Sequence, residues 1–108
     1  MEAPKFKKEI SPHYRTIVVS GVFGGHRPGW FEMIIFTDEI DPESLDPALS
    51  GGRVVVKRTF QCRLILDPIQ AKSLLQWLTY HVKEYEKKFG EIKMPPAPST
   101  RGRSSMFV

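Results

Sequence analysis

The stretch Asp67–Gly90, DPIQAKSLLQWLTYHVKEYEKKFG, constrains the fold more than any other part of the chain. Its ends are marked. Asp67 offers a carboxylate to the first free backbone N–H groups, Pro68 suits the first helical position because its missing N–H would be unpaired there anyway, and Gln70 completes a D-x-x-Q capping box. Gly90 is placed to supply a left-handed stop. Between them Ala71, Leu75, Leu78, Val82, Tyr85 and Phe89 recur at alternating steps of four and three residues, which sets them on one face of a helix. Such a face is buried against something, and the preceding residues have to provide it.

Those residues read as strands. Tyr14 to Phe23 (YRTIVVSGVF) is rich in β-branched side chains, GGHRPG reads as a hairpin turn built on Gly24, Gly25, Pro28 and Gly29, and Trp30 to Thr37 (WFEMIIFT) reads as the returning strand. Both runs are apolar on both faces, so a covering layer is expected on each side. Five acids and two Asp-Pro steps between Asp38 and Pro47 break the second strand, with a single helical turn expected at Asp41-Pro42. From Arg53 to Leu66 the pattern alternates: Val54, Val56, Phe60, Cys62, Leu64 and Leu66 on one face, and Arg53, Lys57, Thr59, Gln61 and Arg63 on the other. Arg58 breaks the alternation, and the run is more than twice the usual strand length of ~5–6 residues, so a bulge or bend is expected near Lys57-Arg58. The order predicts an α+β fold, an antiparallel meander of three to four strands with one long C-terminal helix packed on one face. The domain spans residues 13–93, between a basic N-terminal arm (1–12) and a Pro/Ser/Arg-rich C-terminal tail (94–108).

The helix also carries a resemblance. Leu66-Asp67-Pro68, Ala71-Lys72, Leu74-Leu75, Tyr85-Glu86, Phe89-Gly90 and Ile92 resemble the C-terminal signature S-P-x-x-A-K-x-L-L…Y-E-x-x-F-G-x-I of a family of small bacterial and archaeal proteins known only as a domain of unknown function, with Asp67 in place of the family's Ser. The resemblance covers about a quarter of the chain and implies a fold, not an activity.

Composition narrows the chemistry. Cys62 is the single cysteine, so neither an internal disulfide nor a thiol-rich metal site can form, which fits a reducing cytoplasm. His13, His26 and His81 fall in three separate segments without metal-ligand spacing, and GVFGGHRPG lacks the G-K-[ST] of a phosphate-binding loop. The acids of 38–46 lack the spacing of a calcium loop. We therefore expect a non-catalytic protein without metal or cofactor. No run of roughly 18 apolar residues is present to cross a bilayer.

Two binding roles follow. The net charge is +4, and setting aside the five acids of the 38–46 loop leaves sixteen basic residues against seven acidic ones. Arg53, Lys57 and Arg63, at even spacing on one strand face, form a stripe suited to phosphates, with Tyr14 and Trp30 as stacking platforms and Lys7, Lys8, Arg101 and Arg103 on the tails adding charge. This predicts binding of single-stranded nucleic acid, DNA or RNA. The alternative is an assembly subunit: Leu74, Trp77 and His81 form a second row beside the main helical stripe, suited to a homodimer or partner interface, and the terminal Ser105-Met106-Phe107-Val108 can serve as a docking peptide for a protein partner.

Overall fold

The computed structural model describes residues 2–96. Three strands, β1 (Gly21–Arg27), β2 (Trp30–Ile40) and β3 (Val56–Leu66), form an antiparallel sheet in the order β1-β2-β3. After it comes one long helix, which we label α2 (Pro68–Phe89) because a single helical turn, α1 (Pro47–Ser50), precedes it. The fold is α+β, a three-stranded meander followed by a helix.

The helix ends follow the capping chemistry. The Asp67 carboxylate accepts from the Gln70 N–H at 2.8 Å, and Pro68 opens the helix. Gly90 closes it with φ 101° and ψ 166°, a positive φ but an extended ψ rather than a left-handed helical pair, and its N–H donates to the Glu86 carbonyl at 2.8 Å.

The hairpin differs from the expected one. β1 starts at Gly21, seven residues after Tyr14, and runs through Gly24, Gly25 and His26. Arg27 pairs directly with Trp30, so the turn is Pro28-Gly29 alone. Gly24 belongs to the strand for a packing reason: φ is 139°, and a Cβ there would collide with the Glu32 carbonyl of β2. Glycine at this position reflects close approach of two backbones, which in sequence looks identical to a turn signal.

β2 also runs three residues further than expected, through the acids Asp38 and Glu39 to Ile40. Asp41 then caps a 3₁₀ turn (Pro42–Leu45), and Asp46 caps α1. Each carboxylate accepts from the N–H two residues on, at 3.1 Å to Glu43 and 2.9 Å to Ala48, so both Asp-Pro steps act as helix starts.

β3 carries the bulge, though at another place. Ile35 pairs with Cys62 and the next residue, Phe36, pairs with Phe60, leaving Gln61 as the extra residue. Because directly opposed residues share a sheet face, the bulge reverses the alternation of β3. One face carries Val22, Phe31, Met33, Ile35, Cys62, Leu64 and Leu66, and continues beyond the bulge as Thr37, Thr59 and Lys57. The other carries Phe23, Trp30, Glu32, Ile34, Phe36, Asp38, Arg58, Phe60, Arg63 and Ile65. Arg58, the break in the expected alternation, now has an explanation. It lies opposite Asp38 and grips it with two hydrogen bonds, Nε to Oδ1 at 2.9 Å and Nη2 to Oδ2 at 3.0 Å, with its guanidinium 3.9 Å from the centre of the Phe36 ring.

The first of these faces meets α2 through Ala71, Leu74, Leu75 and Leu78. The N-terminal segment crosses its other end: Arg15 donates to the Gln61 carbonyl, Thr37 Oγ1 donates to the Val18 carbonyl at 2.6 Å, and the Ser20 N–H donates to Phe36 O at 2.9 Å. Even so, Ile35 and Phe36 are the only buried hydrophobic side chains among the described residues, and α2 has no buried residue along its whole length.

Candidate interaction surfaces

An apolar concavity lies where α2 leaves the sheet. Its floor is Val22, Phe31, Met33 and Leu66, its wall is Ala71, Leu74, Leu75 and Leu78, and it encloses about 780 Å³. The lining is overwhelmingly apolar, with His26 and Glu32 at its margin. The stripe read from the sequence therefore divides. Its first half walls this groove, whereas Val82, Tyr85 and Phe89 continue along the helix outside it, with the Tyr85 and Phe89 rings 4.8 Å apart and both side chains more than half exposed.

The expected interface row divides as well. Leu74 turns toward the chain's own sheet and lines the groove. Trp77 remains outside, exposed, with its ring 4.6 Å from that of His81, which in turn lies 5.1 Å from Tyr80. Sequence spacing cannot separate these cases, because the direction in which a helix leaves its sheet is not encoded in the helix period.

The basic stripe of β3 is not assembled as expected, and the bulge at Gln61 is the cause. Arg63 points to the open face of the sheet and Lys57 to the helix face, while Arg53 precedes the strand altogether. Arg63 is further occupied by Glu32, Nε to Oε1 at 2.5 Å. The other arginine of β3, Arg58, holds the Asp38 carboxyl below its ordinary value chiefly through their hydrogen bonds, and Asp38 correspondingly raises the guanidinium. Lys7 pairs with Glu9 at 3.7 Å, and Lys8 is exposed beside it. Tyr14 is exposed on the rim of a shallow cleft with Pro12, His13, Arg15, Gln61 and Cys62, away from the groove. Arg101, Arg103 and the Ser105–Val108 peptide lie outside the described residues.

One grouping on the open face went unread in the sequence. Trp30 is flanked by two guanidinium groups, Arg27 at 5.9 Å and Arg63 at 5.8 Å from the ring centre, both within cation–π range. Arg27 and Trp30 bracket Pro28-Gly29, so the signal was present in R-P-G-W. A two-residue turn forces its flanking pair together, and spreading the turn over the whole of GGHRPG hid it.

Among the described residues no group of three or more His, Cys, Asp or Glu side chains is arranged to hold a metal, and no helix is long and apolar enough to cross a membrane. The family model for proteins of unknown function DUF3467 matches residues 36–94, from the middle of β2 to just past α2, which is more than half of the chain. The chain belongs to the DUF3467 family. The match includes the bulge, both Asp-Pro turns, the groove wall and the whole helix, and leaves β1 and the N-terminal segment outside it. No curated protein and no solved structure matches this DUF3467 chain.

Proposed function

We propose that this protein is a non-catalytic assembly module that works by protein–protein contact through α2 and the apolar groove beside it. The observation that carries this reading is the helix itself, 22 residues with an apolar stripe and no buried side chain. In folded proteins most helical stability comes from packing of the apolar face rather than from intrinsic propensity. A helix in this position is half of an interface. Aromatic side chains such as Trp77, Tyr85 and Phe89 are the types that anchor protein contacts. The lone Cys62, free and half-buried, fits a cytoplasmic setting.

The test is association measured against salt. Apolar association persists or strengthens from 50 mM to 1 M NaCl, whereas contact through charged surfaces weakens as screening shortens to about 3 Å at the upper concentration. A particle whose mass in light scattering stays above that of one chain throughout supports the reading. One that is a single chain at every salt concentration, and has no affinity for an apolar dye, overturns it.

The Arg27–Trp30–Arg63 cluster favours a second reading, contact with single-stranded nucleic acid on the open sheet face. Stacking on an aromatic ring contributes about 1–3 kcal/mol per base, and nearby guanidinium groups attract the phosphates. Fluorescence anisotropy with a labelled oligothymidine is the measurement. Binding that falls steeply with salt and disappears in Arg27→Glu/Arg63→Glu supports this reading, and its absence at 20 mM salt ends it.

A further inference from the structure

We propose that the groove is filled by α2 of a second copy of this chain, so that two helices run antiparallel and the distal half of each completes the core of the other. This rests on the assembly reading above and names its partner.

Three observations point to a second copy rather than to a foreign protein. The first is that the need is permanent. With Ile35 and Phe36 as the only buried hydrophobic side chains among the described residues, the fold lacks most of its core whenever it stands alone. A partner that supplies a core has to be present each time the chain folds, and another copy always is.

The second is the match between the groove and the stripe. The helix is centred near Leu78, and its first half walls the groove. From Leu78 to Phe89 the same apolar stripe runs on for roughly 16 Å at 1.5 Å per residue. A two-fold axis near Leu78 sets Leu74 and Leu75 of one helix beside Val82 of the other. It also lays Tyr85 and Phe89 of each chain over Phe31 and Met33 of the second copy. The contact is self-complementary, as two-fold symmetry requires.

The third is area. Leu75, Leu78, Tyr85 and Phe89 are exposed by 64%, 50%, 52% and 65%, and Phe31 on the floor by 38%. Together with Leu74 and Val82 these side chains offer roughly 600–800 Å² per copy, approaching the ~800 Å² per partner of a stable interface.

The test uses the full chain in a Cys62→Ser background carrying Leu75→Cys and Val82→Cys. These positions are seven residues apart on one helix, about 10.5 Å along its axis, too far for a disulfide within one chain. Mild oxidation is expected to give a covalent dimer of twice 12.4 kDa on non-reducing gels. Ser73→Cys/Tyr80→Cys, with the same spacing on the opposite face, should stay single. Wild-type protein, free of any engineered change, should melt at a higher temperature as its concentration rises.

A dimer in light scattering that fails to cross-link through Leu75→Cys/Val82→Cys, or that cross-links equally through the control pair, overturns helix pairing but leaves the assembly reading standing. A single chain that binds an apolar dye overturns the second copy and points to a foreign occupant. A single chain that binds no dye overturns this proposal and the assembly reading together.

Discussion

The two ends of the molecule satisfy themselves in opposite ways. At the end of the sheet beyond the bulge, polar groups find partners within the chain: Arg58 grips Asp38 and covers Phe36, Asp41 and Asp46 cap their short helical turns, and the loop is tied by the buried Ser44, whose Oγ donates to the Asp41 carbonyl at 2.7 Å and accepts from the Val55 N–H at 2.9 Å. At the distal end of α2 the side-chain interactions among the described residues stay on the helix or reach the segment just after it. Tyr85 meets Phe89, Lys87 meets Glu84 at 3.7 Å, and Glu86 accepts from the Ile92 N–H at 3.0 Å. Stability is local where the groups are polar. Polar hydrogen-bond needs are met by neighbours in sequence or on the next strand, whereas apolar area can be covered only by another layer, and Tyr85 and Phe89 stand more than half exposed.

The strongest way to break this comparison is Leu78→Asp. If the helix stays uncovered, Leu78 is a half-exposed residue of the groove wall, and the change should cost no more than about 1 kcal/mol within one chain. If a second helix covers it, a carboxylate is forced into an apolar contact in both copies, and association should weaken at least about 100-fold, or roughly 3 kcal/mol. Sedimentation or light scattering over a dilution series separates the two outcomes, and circular dichroism shows whether helix content falls with the dimer.

Gly24→Ala probes a contact that the chain makes with itself. The new Cβ meets the Glu32 carbonyl on the neighbouring strand, at a φ of 139° that other residues rarely adopt, so the β1–β2 pairing has to open. We expect a loss of about 2–4 kcal/mol in chemical denaturation, at the upper end of single substitutions. This damage lies inside one chain. Monitored through the sheet, its size should be the same across protein concentrations, unlike that of Leu78→Asp.

These contrasts also mark what could be read from the residues alone. Helix α2 was legible to its ends, because capping is local: Asp67, Pro68 and Gly90 act on backbone groups within a few positions. The first Asp-Pro turn, at Asp41-Pro42, was legible for the same reason, whereas the second, α1 after Asp46, was not separated from it. The turn at Pro28-Gly29 was obscured, since Gly24 is required by the approach of β2, a contact between residues eight apart in sequence. The bulge was anticipated but placed three to four residues too early, because Arg58 looked like a charge on an inward face; its partner Asp38, 20 residues away, explains it without any irregularity. That displacement carried through to the candidate site. A stripe drawn through Lys57 and Arg63 assumes unbroken alternation, and the extra residue at Gln61 sends the two to opposite faces.

A smaller effect is expected from Asp67→Ala, which removes the acceptor for the Gln70 N–H. N-cap losses of this type cost about 1 kcal/mol. The cap lies at the end of α2 that already touches the sheet, so helix content and association should decline together. Loss of helix signal with unchanged association would mean that the interface does not depend on α2, contrary to the comparison drawn above.

The smallest effect concerns the self-sufficient end and is seen in its pH dependence. Arg58 lowers the Asp38 pKa below its ordinary 3.8, chiefly through their hydrogen bonds. A carboxyl depressed in the folded state favours folding where it is ionised in both states, above the ordinary value. That advantage disappears as pH falls through the lower folded value and both states become protonated. Asp38→Asn should therefore be less stable than wild type between pH 5 and 7 and approach it as pH falls below 3.8, measured as denaturation midpoints at each pH. Arg58→Lys isolates the geometry, since an ammonium keeps the charge but loses both the two-pronged grip and the flat contact with Phe36. If Arg58→Lys matches wild type at pH 7, the pair acts as charge alone. If it follows Asp38→Asn, the planar fork over the ring is what closes this end of the sheet, and the sheet needs no partner there.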